Sequence, residues 1–257
     1  MRSMRLVTWN VNSIRARAAR LGAWLDANRP DCICLQETKV EDAGFPHELF
    51  ASRGYQVAIH GQKSYNGVAI AALGPITDVT VGLGEAALDD QARLIAGVVA
   101  GVRVASVYVP NGQAVGSDKY AYKLAWLAGL LRWLDRHDRA RPLVLGGDWN
   151  IAPADLDVHD PKKWAGEVLC SEEERAALGA LLAWGLTDVF RAQHPALRAF
   201  SWWDYRGAQF FKDQGLRIDH FLADAAVAAR VTACAIDREA RKGQDASDHA
   251  PVSVTLA

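Results

Sequence analysis

The residues of this chain best suited to chemistry lie in three acidic segments that are far apart in the sequence. An apolar stretch of strand length precedes each of them, directly for the first two and less directly for the third. Carboxylates at the ends of strands that a sheet brings together can bind a hard cation, and with a histidine beside them they can hydrolyse phosphate esters. The three segments are Gln36-Glu37-Thr38, Gly147-Asp148-Trp149-Asn150 and Ser247-Asp248-His249-Ala250-Pro251.

Polar side chains two residues apart follow two of the predicted strands. Asn10 and Asn12 share one side of the chain, where an amide either forms a turn or contacts a metal ion or a phosphate. Asp148 and Asn150 repeat this spacing after two glycines, which allow close approach of a ligand or a partner strand. The pair suits an acid that binds or deprotonates water beside an amide that orients it. Two alternatives stay open: an ordinary turn at Asp148, and a solvated loop acid at Glu37.

A histidine directly follows an aspartate in the third segment. Asp248 and His249 precede the last predicted strand, and Pro251 biases Ala250 toward extended geometry. Asp219 lies in another predicted strand and points to the same end of the sheet if the strands align. A buried carboxylate there would hold the ring of His249 and raise its pKa. Because the chain has seven histidines, an ordinary loop histidine is the alternative.

One tyrosine and two lysines are further candidates. Tyr108 lies at the end of a predicted strand, where its hydroxyl either donates to a phosphate oxygen or simply packs. Lys119 and Lys123 are one helical turn apart and predict a cationic edge on a helix.

The elements that must position these residues alternate between strand-length apolar runs and segments of helical period. Helices are predicted over residues 15–27, 45–53 and 119–137, and another begins with a capping box at Ser171. Strands are predicted over residues 6–9, 32–35, 55–59, 68–73, 93–99, 102–109, 143–145, 200–204, 218–222, 231–236 and 252–256.

Hairpins mixed with helical crossovers indicate sheets in which strands pair in both directions. Trp9-Asn10 and Trp149-Asn150 both end a predicted strand, which suggests two similar halves packed face to face. No Pro/Gly/Ser-rich linker divides the chain. We therefore predict one domain over residues 1–257 with an α/β fold: a four-layer sandwich of two mixed β-sheets, packed face to face, with helices on the outside.

Composition bounds the class of protein. With 257 residues and 50% hydrophobic content, the chain can bury a sizeable core. A net charge of −1 excludes a broadly basic nucleic-acid binder but allows a local basic strip. Four cysteines without zinc-site spacing indicate apolar thiols in a reducing compartment. Because no apolar run reaches the roughly 18 residues of a membrane span, and no signal peptide is recognised, we expect a cytoplasmic protein. We also expect it to act as a monomer.

Taken together, these residues resemble the exonuclease III family of Mg²⁺-dependent DNA repair nucleases, the AP endonucleases of the wider endonuclease/exonuclease/phosphatase superfamily. The similarity follows the same order along essentially the whole chain. The matching motifs are residues 8–10, 35–39, 60–63, 108–112, 147–153, 200–206, 215–219 and 247–251, together with Asp188.

The resemblance implies a role for each candidate. Glu37 would be the principal ligand of Mg²⁺, or of Mn²⁺ in its place. The catalytic residues would act on the scissile phosphate. The further metal-site residues implied are Asn10, Asn12, Asp148, Asn150 and Asp248. The catalytic residues implied are Asp148, which activates water, Asn150, which assists it, His249, oriented by Asp219, and Tyr108.

Substrate contacts are implied in the same way. Trp202, Leu216 and Ile218 match the wall of a pocket for a flipped-out abasic sugar, and Asn111 stands where bacterial relatives often carry glutamine. Cations near the matched motifs would follow the phosphates of double-stranded DNA. Those assigned to substrate binding are Lys63, Lys119, Lys123 and Arg217.

The implied activity is hydrolysis of DNA on the 5′ side of abasic sites, with 3′-phosphatase, 3′-phosphodiesterase and 3′→5′ exonuclease activity on duplex DNA. One alternative is a relative restricted to blocked 3′ ends with weak abasic-site cleavage, because Trp164 and Leu169 lie in a loop that would crowd the pocket. A second is a superfamily phosphoesterase acting on small phosphoesters. A third is a DNA-binding module without catalysis.

Overall fold

The computed structural model describes residues 3–257, which contain twelve β-strands and seven α-helices. The strands are β1 Met4–Asn10, β2 Cys32–Gln36, β3 Gln56–His60, β4 Val68–Ala72, β5 Thr77–Val81, β6 Leu94–Val99, β7 Val102–Tyr108, β8 Leu143–Asp148, β9 Thr187–Asp188, β10 Asp219–Ala223, β11 Val231–Ile236 and β12 Val252–Leu256. The helices are α1 Ala18–Asn28, α2 His47–Ala51, α3 Asp118–Asp135, α4 Pro161–Trp164, α5 Glu172–Trp184, α6 Val189–Gln193 and α7 Ala225–Ala228.

The strands form two six-stranded mixed sheets. Their orders are β11-β12-β1-β2-β4-β3 and β5-β6-β7-β8-β10-β9. One parallel pair lies near the middle of each sheet, β1 with β2 and β7 with β8, and the remaining neighbours run antiparallel. Because polar loops leave the carboxyl ends of these four strands, both sheets contribute side chains to one shared edge.

Alternating side chains build the layers. Leu6 of β1 and Cys34 of β2 point between the sheets and share a buried cluster with Val104 of β7 and Val144 of β8. Their neighbours in sequence face outward instead. Trp9 and Ile33 pack against α1 on one outer face, while Leu145 packs against α3 and α5 on the other. The fold is the predicted four-layer sandwich.

The repeated Trp-Asn dipeptide marks equivalent places in the two sheets. The indole Nε1 of Trp9 donates to the backbone oxygen of His249, and that of Trp149 donates to the backbone oxygen of His220, both at 3.1 Å. In each case the histidine belongs to the segment that lies antiparallel to the tryptophan's strand. The repeated dipeptide therefore marks corresponding positions in the two sheets.

Some predicted elements differ from the structure. Residues 200–204 do not form a strand, and Trp202 makes only isolated bridges to Leu216 and His249. Strand β5 was not predicted; it is an edge strand, and all five of its side chains are exposed. The capping box at Ser171 is confirmed: its hydroxyl accepts from the Glu174 amide, and the Glu174 side chain accepts from the Ser171 amide.

Two expectations from composition can be examined directly. All four cysteines are free and buried, as expected for apolar thiols. In residues 3–257, no helix combines the length and apolar character needed to cross a membrane.

Candidate active site

The ends of four strands place the candidate catalytic groups at one edge. Asn10 ends β1, Tyr108 ends β7 and Asp148 ends β8, while Glu37 directly follows β2 in a left-handed backbone conformation (φ 52°). The strand register sets Tyr108 and Asp219 on either side of Asp148. Gly147 makes this spacing possible, because a Cβ there would lie 2.0 Å from the Val107 carbonyl oxygen. The glycine therefore serves close strand packing and not ligand access.

A hydrogen-bonded cluster joins the two sheets across this edge. The amide nitrogen of Asn10 donates to Glu37 Oε1 at 2.8 Å and to Asp148 Oδ2 at 2.9 Å. The hydroxyl of Tyr108 donates to Glu37 Oε1 at 2.9 Å. Burial, reinforced by Glu37 and Asp148, raises the pKa of Tyr108 well above its ordinary value, which keeps the hydroxyl protonated. The predicted convergence of these separated residues is confirmed.

His249 is held as predicted. Its Nδ1 donates to Asp219 Oδ2 at 2.9 Å, and its Nε2 lies 3.7 Å from Asp148 Oδ2. Burial by itself disfavours an imidazolium, but Asp219 and Asp148 outweigh it and raise the pKa of His249 to about 10. The imidazole is therefore charged at neutral pH and directs its free Nε2 toward the other carboxylate.

Asp148 differs from His249 because a raised pKa favours the neutral form of a carboxyl group. Its burial, together with the nearby charge of Asp219, raises its pKa to about 7, although His249 and the Asn10 amide act in the other direction. A carboxyl group with a pKa near neutrality is well suited to accept a proton. The backbone amide of Asn150 donates to Asp148 Oδ1 at 2.9 Å and orients the group.

The oxygens around Glu37 favour a cation. Lys39 Nζ lies 2.6 Å from Glu37 Oε2 and 2.6 Å from Asn12 Oδ1. The positive charge of the lysine side chain is therefore bound between these two oxygens. Burial opposes the charge of Glu37, but Lys39 and the Asn10 amide outweigh it and lower its pKa. One side-chain atom each of Glu37, Asp148 and His249 lies within 4.8 Å of the others, and the two carboxylates supply oxygens for a cation, since His249 is protonated. Hard oxygen donors of this kind suit Mg²⁺.

The remaining metal-site candidates have other bonds. Asn10 presents its amide nitrogen to the carboxylates, and its Oδ1 accepts from the Asn12 amide at 2.9 Å, so in this arrangement it orients ligands. Asp248 accepts from Asn12 Nδ2 and from Trp202 Nε1. Asn150 donates through Nδ2 to the Val109 carbonyl, and its Oδ1 accepts from Asn111. These bonds leave Glu37 and Asp148 as the carboxylates best placed for a cation.

A cavity of about 330 Å³ opens beside the cluster. Trp202 and Ile218 line it together with Trp164 and Leu169. Leu216 does not belong to this wall: it is completely buried and packs beneath Ile218 and Trp202. The prediction that Leu216 lines the pocket wall is therefore wrong: it supports the wall from behind.

Two predicted phosphate contacts are also corrected. Lys123 is fully buried and paired with Glu174, and Arg217 is fully buried and paired with Asp157 and Asp188. Burial alone disfavours the charge of Arg217, but its two carboxylate partners raise its pKa. A cation enclosed in this way cannot reach a DNA phosphate without breaking its ion pair.

Lys63 and Lys119, in contrast, are exposed. Lys119 and Asn111 line a second cavity, of about 620 Å³, which shares Tyr108 with the first. Two residues that contact the cluster were not among the predicted site residues: Lys39 and Arg93. Lys39 lies in the matched motif that contains Glu37, so its spacing was a usable signal. Arg93 stacks over the Tyr108 ring at 4.7 Å, and only the strand register reveals that contact.

Comparison with known proteins agrees with this geometry. Residues 7–249 match the model of the Endonuclease/Exonuclease/phosphatase family. The chain belongs to this family. It is similar to exodeoxyribonuclease III of Haemophilus influenzae, with 36% identity over 97% of this chain and 98% of that protein. The relatives place it with the exodeoxyribonuclease III and AP endonuclease members, which are nucleases of DNA repair and typically depend on a metal ion.

Solved structures of family members match closely. The 3′ phosphatase NExo from Neisseria, bound to a product DNA hairpin, has a TM-score of 0.95 and 43% identity, covering 99% of each chain. An AP endonuclease from Archaeoglobus fulgidus also has a TM-score of 0.95, with 39% identity over 98% of this chain and 99% of that one. A 3′ phosphatase and an AP endonuclease are thus structurally similar to this chain to the same degree.

Proposed function

We propose that the protein is a Mg²⁺-dependent phosphodiesterase of duplex DNA that cleaves 5′ to abasic sites and removes blocking groups and nucleotides from 3′ ends. The convergence of Glu37 and Asp148 with the Asp219–His249 pair is the observation that carries this proposal. The site is completed by residues of one chain, which supports action as a monomer.

Each group has a task in hydrolysis of a phosphodiester. Asp148 accepts the proton of the attacking water, a role supported by its position at the end of β8 and by the Asn150 backbone amide that orients it. His249 donates from Nε2 to a phosphate oxygen and stabilises the negative charge that develops there, while Asp219 fixes its ring. Tyr108, which stays protonated, donates to the same phosphate.

Glu37 and Asp148 are the residues that would hold Mg²⁺, and Mn²⁺ suits the same oxygen donors. When bound, the metal ion supplies Lewis-acid stabilisation of the phosphate and of the leaving 3′-oxygen. Lys39 adjusts by releasing the Glu37 oxygen that it contacts in this structure. Asn10 keeps both carboxylates in place through its two hydrogen bonds.

The cavity beside the cluster suits a sugar without its base. Trp202 and Ile218 offer an apolar surface there. The free energy needed to extrude a nucleotide from the stack is lower for a damaged nucleotide than for an intact one. Lys119 and Arg206 are exposed and line the two cavities, and Lys63 is exposed next to Gln62 of the second one; these cations can contact phosphates on either side of the target.

A second candidate function is processing of 3′ ends with weak cleavage at abasic sites. Leu169 supports it, because this side chain lines the cavity while its backbone is in the left-handed region (φ 76°), which favours glycine. Trp164 narrows the same side of the cavity. A bulky residue at such a position reduces the space for an extruded sugar but leaves the phosphate site open.

One substrate panel tests the proposal. An abasic duplex, a nicked duplex with a 3′-phosphate, a blunt duplex and a small phosphoester are compared in EDTA and after addition of Mg²⁺. We expect cleavage of the DNA substrates only with the metal ion, and none by Asp148→Asn. Cleavage that persists in EDTA contradicts the metal assignment, and preference for the small phosphoester contradicts DNA as the substrate.

Leu169→Gly separates the two candidates. If Leu169 restricts the cavity, we expect cleavage at abasic sites to rise relative to 3′-phosphate removal by about tenfold. Glycine fits the φ of 76° without strain, so the variant should fold. Val168→Ala, a change at the neighbouring residue, serves as the control. An unchanged ratio in Leu169→Gly rules out this residue as the determinant.

A further inference from the structure

Lys123 lies on α3, directly behind the catalytic cluster, and is fully buried. Its ammonium group donates to three acceptors: the Asn150 backbone oxygen at 2.6 Å, the Asn111 backbone oxygen at 3.1 Å, and Glu174 Oε1. The three acceptors account for all three of its N–H groups. Burial lowers the pKa of Lys123, and Glu174 is the main group that acts against this effect. The ammonium thus joins the loops after β7 and β8 through one charge.

Glu174 extends the connection to the wall of the cavity. Its Oε1 also accepts from the backbone amide of Leu169 at 3.0 Å, and its Oε2 accepts from the Ser171 amide at 3.1 Å. Ser171 in turn shares a hydrogen bond of 2.6 Å with the hydroxyl of Tyr120 on α3. The loop that carries Leu169 is therefore attached to α3 through the same ion pair.

Two residues with left-handed backbone conformations contact this ion pair from opposite sides. Asn150 has a φ of 49° and Leu169 a φ of 76°; asparagine tolerates the left-handed region, whereas leucine rarely adopts it. The backbone oxygen of Asn150 bonds to Lys123, while the backbone amide of Leu169 bonds to Glu174. Such conformations persist where surrounding contacts determine them, and here one buried ion pair supplies contacts to both.

We propose that the Lys123–Glu174 pair is a positioning unit that sets the catalytic Asn150 and the cavity wall at Leu169 together. It governs both the turnover number and the choice between abasic and 3′-blocked substrates. This inference rests on the proposed function. Neither residue touches the substrate, so both act through the loops that they hold.

Lys123→Met tests this, since it keeps the length of the side chain and removes its three donors. We expect kcat on both substrates to fall about tenfold or more. KM for the duplex and the half-saturating Mg²⁺ concentration should stay within about twofold. The ratio of abasic cleavage to 3′-phosphate removal should shift by about threefold or more. A role limited to stability would lower Tm and leave this ratio unchanged.

Glu174→Gln, which keeps the shape of the side chain, is the second variant and decides by the same criteria if Lys123→Met does not fold. Arg132→Met is the matched control, because it removes an exposed ion pair with Glu85 from the same helix. We expect it to match the parent in kcat and in the substrate ratio.

The outcomes separate the two proposals. A parent protein inactive on every DNA substrate overturns the proposed function. An active parent whose Lys123→Met or Glu174→Gln variant keeps both kcat and the substrate ratio overturns the positioning role alone.

Discussion

His249 and His220 each follow an aspartate and occupy corresponding places in the two sheets, yet they carry different charges. Nδ1 of His249 donates to Asp219, and its pKa is raised. Nδ1 of His220 accepts from Arg217, while its Nε2 donates to the Ile151 backbone oxygen. Burial and the Arg217 charge lower the pKa of His220, which makes it a neutral structural residue. The neighbouring charge, and not the dipeptide, decides which histidine is available for catalysis.

Removal of the Asp219 charge should therefore shift the titration of His249. In Asp219→Asn the imidazolium loses its main favourable contact, while burial continues to disfavour it. We expect the pKa of His249 to fall from about 10, so that the ring loses its charge at lower pH than in the parent. NMR titration of the metal-free proteins in EDTA measures this directly. Equal pKa values in the two proteins would contradict the assigned pairing.

His249→Ala should separate chemistry from binding. In the proposed mechanism the imidazolium stabilises the charge that develops on the phosphate, so its removal should raise the barrier by about 3 kcal/mol or more. The dissociation constant for duplex DNA in Ca²⁺ or EDTA should change much less. Fluorescence anisotropy with labelled duplex, set beside single-turnover rates, gives both quantities. Equal losses in affinity and rate would indicate a role in binding only.

At the scale of elements, the loop over residues 204–214 forms one rim of the cleft. Its Asp204 and Arg206 line the active-site cavity, and its Phe211 is 85% exposed. Phe210 lies beneath it in edge contact, with the rings 5.7 Å apart, and is buried against Trp203. A large apolar side chain held out from a rigid base in this way is suited to contact with bases or sugars of the duplex.

We expect Phe211→Ala to weaken binding of duplex DNA by about 1–3 kcal/mol, the usual range for loss of an aromatic contact with a base. The unfolding temperature should not change, because the exposed ring stabilises little. Leu197→Ala, at a half-exposed position that lines neither cavity beside the active site, is the control. Unchanged affinity in Phe211→Ala would exclude the loop tip from the interface.

Another element-scale prediction concerns the ion pairs of Arg217, which join the segment before β10 to Asp188 of β9 and to Asp157 in the loop after β8. Arg217→Met removes both guanidinium contacts of the partly buried Asp188 and leaves the buried Asp157 with Arg191 as its ion-pair partner. It should reduce the free energy of unfolding by about 3 kcal/mol. Arg141→Met, which removes an exposed pair with Asp78, should change it by about 0.5 kcal/mol or less. Urea denaturation compares the two. Similar small losses would show that the buried network contributes little.

At the scale of the whole molecule, the net charge of −1 combines a carboxylate-rich centre with exposed cations at the rim. Duplex binding should still weaken with salt, because each phosphate contact releases counterions. Lys63→Met and Lys119→Met should each reduce the slope of log K against log salt by about 0.9, whereas Lys123→Met should leave it unchanged. A smaller slope in Lys123→Met would contradict its burial away from DNA.

The sequence by itself determined the two-sheet sandwich and most of the catalytic cluster. Apolar alternation sets which side of a strand is buried, and a carboxylate at the strand end then has only one edge to occupy. The roles of the cations were decided by tertiary structure. Lys119 and Lys123 have the same spacing as any exposed pair on a helix, and only the fold brings Glu174, 51 residues away, to one of them. The charge of a side chain can be read from its residue type, whereas its burial and its ion-pair partners depend on residues that meet only when the chain is folded.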